Sequence, residues 1–547
     1  MGAPSFSRTV RIGASKTAIQ RSDAILYKNL KRRLASLEMA GRNGFLSGGK
    51  IGIEKESLRV TRDGNIAQTP HPRALGSALT HPYITTDYSE ALLELITPPL
   101  TDAGAAHDYL CRIHGFVYNS LEHELLWATS MPCLIAGESS IPIADYGTSN
   151  VGTMKHIYRR GLEYRYGRSM QAIAGVHFNY SLPQGFWPVY QEAEGDDRAA
   201  QDFISDSYFC LIRNFHRLGW IIPYLFGASP AVCKSFFGGS KVDLSEFDRS
   251  TYYGPFATSL RMSDIGYTNV VQQQLDISYN NIEEYVAGLT RAIETPYPEY
   301  EKIGVIADGE YIQLNTNILQ IENEYYSFVR PKQIARSGEK PTVALKNRGV
   351  QYVEIRALDV NLFDPVGISE DQMRFMETFL IFCMLHDSPT VHKNEREDIG
   401  RNQQAVACCG RDPDIRLRRN GDNLKVTDWS KEIQREMLPI AELLDHEEDG
   451  APYVSAVSAA LEVISDPDRT PSARLLDLMR ERKQTFYHTA MDMCEQHNAY
   501  FKEVDIPPEQ LRFFEEEAKK SLQHQKEIEE SDDLSFEEYL EHYFSQS

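Results

Sequence analysis

The sequence predicts an α+β protein in which the first two thirds of the chain form an antiparallel sheet with helices around it and the last third is mainly helical. Three observations carry this. Apolar and polar side chains alternate with the period of two that marks a strand at 50–60, 91–96, 175–181 and 352–359. Between those stretches, 104–126 and 203–226 repeat their apolar residues at helical spacing. Beyond about residue 365 the alternation stops and helix signals take over.

In chain order, residues 1–21 contain Arg8, Arg11 and Lys16 and no acid, so a disordered tail is expected. A transit peptide has a similar composition, whereas the apolar core of a secretion signal is absent from this stretch. From Ser22, the positions Ile25, Leu26, Leu30, Leu34 and Leu37 suit an amphipathic helix with a basic outer face. Gly44–Lys50 fits G-x-x-x-x-G-K, but Ile51 stands where a phosphate loop needs Ser or Thr. The stretch also leads into a strand instead of opening a helix, so it reads as a glycine-rich connection. On the strand that follows, Ile51 and Ile53 alternate with Gly52, Glu54 and Glu56. Asp63-Gly64 marks a hairpin turn. Asp87 precedes a strand on which Leu92, Glu94 and Ile96 share a face, and Leu110, Ile113, Val117 and Leu121 then form a helical stripe.

The segment 145–182 mixes arginines with tyrosines and ends in a strand that puts His177, Asn179 and Ser181 on one side. A strand pair is expected over 310–330, with Gln313, Asn315 and Asn317 on one side and Glu322 and Glu324 beyond. Glu354 and Arg356 share a face of the strand near 352–359. Two structural parts are expected, a catalytic part over 22–365 and a helical region over 366–547 packed on it. In the second, Ser369 and Gln372 make a capping box ahead of the buried run Phe375–Leu385, and Thr470-Pro471 opens a further helix.

With 547 residues, 42% of them hydrophobic and 25% charged, the chain has the profile of an ordinary soluble protein. A net charge of −21 argues against nucleic acid and anionic membrane as partners, since phosphate-rich surfaces want a basic face. A phosphorylated small molecule is not excluded, because a few arginines and metal ions suffice for it. The eight cysteines show no CxxC spacing, which points to reduced thiols in a cytoplasmic protein. A monomer acting on small molecules is expected.

Glu54 and Glu56 project from one strand face roughly 6 to 7 Å apart. Side-by-side carboxylates repel by about 4 kcal/mol at 4 Å and an effective dielectric of 20. Water resolves that cost on an open surface; in a cleft, a cation or a retained proton does. Asp87, Glu94 and Glu354 are three more acids expected to fall on strands. An all-oxygen ligand set suits Mg2+ or Mn2+ better than zinc, and magnesium usually works with nucleotide phosphates, which suggests ATP. Arg159, Arg261, Arg330 and Arg356 sit among aromatic or strand residues, where a guanidinium can bind carboxylate or phosphate. Spacing alone thus reaches a magnesium- and phosphate-handling site on a sheet. Ligation to an unspecified amine, phosphoester hydrolysis and an inactive binding protein all remain open at this point.

Gly52–Arg59, His71–His81 and Thr85–Glu94 resemble the proteobacterial type of glutamate–cysteine ligase, and so do Ser130–Cys133, Tyr146–Asn150, Gly175–His177, Ile222–Pro230, Ser259–Asn269, Leu319–Glu324 and Arg330–Lys332. The likeness runs from about residue 50 to 390. It implies a glutamine-synthetase-like curved antiparallel sheet, a funnel surrounded by helices. It also implies ATP-dependent joining of the L-glutamate γ-carboxyl to the L-cysteine amine through a γ-glutamyl phosphate, the first step of glutathione synthesis. By position in the family motifs, Glu54, Glu56, Asp87, Glu94 and Glu354 look like the metal ligands. Arg356 looks like the contact to the transferring phosphoryl, with Arg330 and Lys332 at the nucleotide phosphates and His177 near the glutamyl group. Tyr88, Arg159, Leu162, Gln171, Arg261, Tyr267 and Tyr326 resemble the walls of the cysteine pocket, with Tyr at 88 where part of the family carries Phe.

Overall fold

Seven antiparallel strands, in the order β6-β7-β5-β1-β3-β2 with β4 also paired to β1, form the sheet around which the chain is built. They are β1 (Lys50–Thr61), β2 (Ile84–Thr86), β3 (Leu92–Ile96), β4 (Glu124–Leu126), β5 (Val176–Ser181), β6 (Val329–Lys332) and β7 (Tyr352–Leu358). The computed structural model describes residues 27–39, 45–266, 271, 275, 277–336, 338–447 and 450–546. The tail 1–21 and Tyr267 lie outside them. An α+β fold on an antiparallel sheet agrees with the expectation from sequence.

Register decides which side chains meet. Glu56 faces Glu94 across β1 and β3, while Glu54 faces His177 and Gly52 faces Asn179 across β1 and β5. Glu354 faces Asn179 on β5 and Arg330 on β6. Directly opposed residues of antiparallel strands share a sheet face, so the polar residues of five strands fall on one side. The other side carries Ile51, Ile53, Leu93, Leu95, Val176, Phe178, Val353 and Ile355, all buried in the main core. Helices Ala103–Ser120 and Ala200–Leu218 pack against the sheet, the first on β1 and the second on β6. Burying a Leu, Ile, Val or Phe side chain contributes about 1.5–3 kcal/mol, so the apolar face holds the sheet together and leaves the polar face for chemistry.

Helix Glu370–Leu385 opens with the expected capping box and is buried along its whole apolar run. It packs against helices Ala200–Leu218, Val426–Leu444 and Pro452–Ser465. Thr470 caps helix Pro471–Arg482, with Pro471 in its first turn, also as expected. The chain's final helix, Phe536–Ser545, packs on helix Asn150–Tyr166, whose C-terminal half lines the substrate cleft described below. Among the described residues no helix is long and apolar enough to cross a membrane.

Three expectations are corrected, and a fourth falls outside the described residues. The first helix spans Lys28–Met39, so its expected start at Ser22 lies outside the described residues. Over 310–330 there is no strand pair: after the short hairpin Ile306–Ala307 with Glu310–Tyr311, the chain runs irregularly until β6. The alternating amides there serve as backbone substitutes. Gln313 donates to the Gly304 carbonyl (2.6 Å), Asn315 donates to the Gln320 carbonyl (3.0 Å), and Glu324 accepts from the Gln320 N–H (2.7 Å). Asp87 stands on a bend after β2, not on a strand. Finally, Cys133 and Cys233, 100 residues apart, form a disulfide with Cα atoms 5.3 Å apart. A pairing made by tertiary approach leaves no spacing signature, which is why the cysteines read as reduced.

Candidate active site

His177 stands at the centre of the polar face, encircled by four carboxylates from three strands. Its Nδ1 is 3.1 Å from Glu54, 3.8 Å from Glu94 and 3.9 Å from Glu354, and its Nε2 is 3.5 Å from Glu56. Each acid is fixed by the sheet or its loops. The Gly175 N–H donates to Glu56 (2.6 Å), and the Asn179 amide donates to Glu54 (2.9 Å). Asp87 is held through its backbone: its N–H donates to the Leu92 carbonyl (3.0 Å), and its carbonyl accepts from Tyr146 (2.9 Å) and from Arg159.

Cations gather on one side of this ring, all aimed at Glu354. Arg356 lies 3.3 Å from its carboxylate, Lys332 3.5 Å and Arg330 3.7 Å. Burial works against a charged Glu354, but Lys332, Arg356 and Arg330 outweigh it and hold the carboxyl well below the usual range. Burial also opposes a charged Glu54, yet the hydrogen bond with His177 and the charge of Lys332 bring it below its ordinary value. The far side differs. Burial raises Glu56, with Asp87 adding to it, and Glu94 is raised well above its ordinary value by burial and by the charges of Glu54, Asp87 and Glu56. One half of the ring is therefore neutralised by side chains while the other half retains excess negative charge.

That imbalance, and the donor set, fit a divalent cation. Glu54, Glu94 and His177 each offer a ligand atom within 4.8 Å of one another. Among the described residues, Glu56 Oε1, Glu354 Oε2 and His177 Nε2 are buried without a hydrogen-bond partner, although buried polar atoms are ordinarily paired. Carboxylate oxygens predominate, as magnesium and manganese prefer.

Beside the ring lies a pocket of about 120 Å3 lined by Asp87, Tyr88, Arg159, Leu162, Gln171, Tyr326, Arg330 and Arg356. Five of the seven residues expected around the amine substrate thus share one cleft with the two arginines. Arg261 does not line it. Its side chain is buried behind β7, donates to the Arg356 carbonyl (2.9 Å) and lies 3.7 Å from Asp359, so it supports the strand that carries Arg356. Tyr158, Tyr166, Met170, Asn323 and Glu324 complete the wall, unanticipated from sequence. The spacing of Tyr158, Leu162 and Tyr166, four apart on helix Asn150–Tyr166, would have signalled the first of them. Arg59 pairs with Glu124 (2.7 Å) on the opposite face of the sheet. A larger cavity of about 550 Å3, near Arg217, Arg419 and Trp429, contains none of these residues.

Comparison with known proteins agrees with this arrangement. The family model for glutamate-cysteine ligase matches residues 34–406. A glutamate–cysteine ligase of Alcanivorax borkumensis is 50% identical over 526 residues, covering 94% of this chain and 99% of the relative; one from Pseudomonas paraeruginosa is 48% identical over 94% and 97%. Among solved structures, the glutamate–cysteine ligase of Francisella tularensis in complex with AMP superposes with a TM-score of 0.86 at 38% identity, covering 91% of this chain and 98% of that one. A bifunctional glutathione synthetase from Pasteurella multocida gives 0.64 at 26%, covering 85% of this chain and 53% of that one. An acid ring flanked by arginines on an antiparallel sheet, and relatives matched almost end to end, lead to one conclusion: this chain belongs to the glutamate–cysteine ligase family.

Proposed function

We propose that the chain joins the γ-carboxyl of L-glutamate to the amine of L-cysteine, using ATP and passing through a γ-glutamyl phosphate. The observation that supports this best is the ring itself: buried carboxylates in excess on one side and Arg356, Arg330 and Lys332 on the other. A carboxylate is a poor electrophile, and bringing it to a triphosphate sets anion against anion. Mg2+ or Mn2+ held by Glu54, Glu56, Asp87, Glu94 and Glu354 would supply the charge neutralisation that such a transfer needs. Arg330 and Lys332, on the edge strand β6, bind the nucleotide phosphates. Arg356 meets the transferring phosphoryl group, where a planar guanidinium can follow charge as it spreads over the oxygens. His177 keeps Glu54 and Glu56 apart and aligned for the glutamyl end.

In the first half-reaction the glutamate γ-carboxylate oxygen attacks the γ-phosphorus and ADP leaves. In the second, the amine attacks the acyl carbon, phosphate leaves, and the amine proton is lost. Arg159 holds the carboxylate of the incoming amino acid, while Tyr88, Leu162, Gln171 and Tyr326 enclose its side chain.

ADP release measured with glutamate alone, and then with each candidate amine, tests the reading. Turnover that requires cysteine supports it; turnover without amine indicates hydrolysis, and preference for another amine changes the substrate. Glu56→Gln is expected to abolish turnover with the fold intact. A folded, active variant removes Glu56 from the metal site.

A further inference from the structure

Away from the acid ring, helix Ala103–Ser120 carries a second group of reactive side chains toward the loop that follows β7. His107 and Cys111 are four residues apart and so share a helix face. The Cys111 sulfur lies 3.8 Å from Nδ1 of His107, and Nε2 of His107 lies 3.5 Å from a carboxylate oxygen of Asp364. Asp364 is itself fixed: its carboxylate accepts from the Val366 N–H (3.0 Å) and its own N–H donates to the Asn361 carbonyl (3.0 Å). Thiol, imidazole and carboxylate stand in the order of nucleophile, proton-handling group and orienting acid. The hydrogen bonds with Asp364 and then Cys111 push His107 up to about 10 against the effect of burial, so its ring is a cation at neutral pH with a donor at the sulfur. All three side chains are partly exposed, within reach of a small molecule.

The other free thiols lack this setting. Cys383 and Cys494 are buried, Cys408 and Cys409 are raised, chiefly by burial, and the Cys210 sulfur accepts from the Arg213 guanidinium (3.0 Å). Among the described residues, only Cys111 has a histidine paired to a carboxylate against its sulfur.

We propose that Cys111 is a modification site for low-molecular-weight disulfides. The Cys111 thiolate attacks one sulfur of R–S–S–R; that S–S bond breaks as the Cys111–S–S–R bond forms. The departing R–S− takes up the proton that Cys111 gave up. Cys111 is oxidised and the leaving sulfur reduced by the same electron pair, so no further oxidant is needed. This proposal does not depend on the ligase reading, since none of its three residues lines the ring or the cleft.

The test treats the full-length protein with 2-hydroxyethyl disulfide at pH 7 and follows each cysteine by peptide mass spectrometry. Cys111 is expected to react about tenfold faster than exposed Cys409, and His107→Gln to slow Cys111 about tenfold while leaving Cys409 unchanged. A cooperative thermal melt like that of the wild type shows that the variant folds; should it not fold, Asp364→Asn is measured in its place and is expected to slow Cys111 several-fold. A Cys111 no faster than Cys409, or a rate unmoved by the folded variant, overturns the proposal.

Discussion

Glu94→Gln is expected to make the metal-free protein more stable and the enzyme inactive, two effects of opposite sign from one side chain. Ligand atoms of Glu94 and Glu54 lie within 4.8 Å of each other. At that distance and an effective dielectric of 20, two full charges repel by about 3–4 kcal/mol. Proton uptake caps the cost, because burial and the charges of Glu54, Asp87 and Glu56 already raise Glu94 well above its ordinary value. A gain of about 1–3 kcal/mol in chelator at pH 8 is the resulting expectation. The pH dependence has a definite sign. A carboxyl raised on folding binds its proton more tightly in the native state, so its contribution is fully present below the unfolded value near 4.5 and is lost as pH climbs toward the folded value. Without metal, the wild type therefore loses stability as pH rises through that window, and Glu94→Gln loses less, keeping only the part due to Glu56. Magnesium should raise the wild-type melting temperature and raise the variant's much less. Denaturant melts in chelator and in magnesium, at pH 6 and pH 8, measure all four states. A variant less stable than wild type in chelator, or one that keeps the full magnesium increment, would refute the reasoning.

Two other substitutions probe the cationic side and the cleft. Arg356→Lys keeps the charge but loses the planar fork 3.3 Å from Glu354, so steady-state kinetics should show kcat down about 10²–10³-fold with a small change in KM for ATP. Tyr88 lines the cleft with a hydroxyl that is buried and, among the described residues, has no hydrogen-bond partner, and burial holds it protonated. Tyr88→Phe should therefore narrow the preference for cysteine over 2-aminobutyrate by about 3–10-fold in kcat/KM; an unchanged ratio would remove the hydroxyl from substrate selection.

The local part of this site was legible in the sequence. Alternation on one strand is enough to put Glu54 beside Glu56 and Glu354 beside Arg356. What could not be read from spacing was the register between strands, whether far apart in the chain, as when His177 comes opposite Glu54, or joined by a helix, as when Arg330 comes opposite Glu354. Long-range pairing is set by packing of the apolar face, and the periodicity within each strand does not encode it. Arg261 shows the limit from another direction: spacing gave no sign that its guanidinium donates to the Arg356 carbonyl and lies 3.7 Å from Asp359. The alternating amides between Gln313 and Asn317 mimicked a strand because the same period also suits side chains that bond to backbone on two sides.

Gly175 touches both Glu56 and Arg261. Its N–H grips Glu56, and the space where a side chain would begin is filled by the Arg261 guanidinium, 2.1 Å from an ideal Cβ. A single added methyl there would displace the arginine that steadies the strand of Arg356 and shift the backbone donor that anchors Glu56. Alanine at this one position would thus unsettle both ends of the reaction centre, the acid side and the phosphoryl side, without altering any charge.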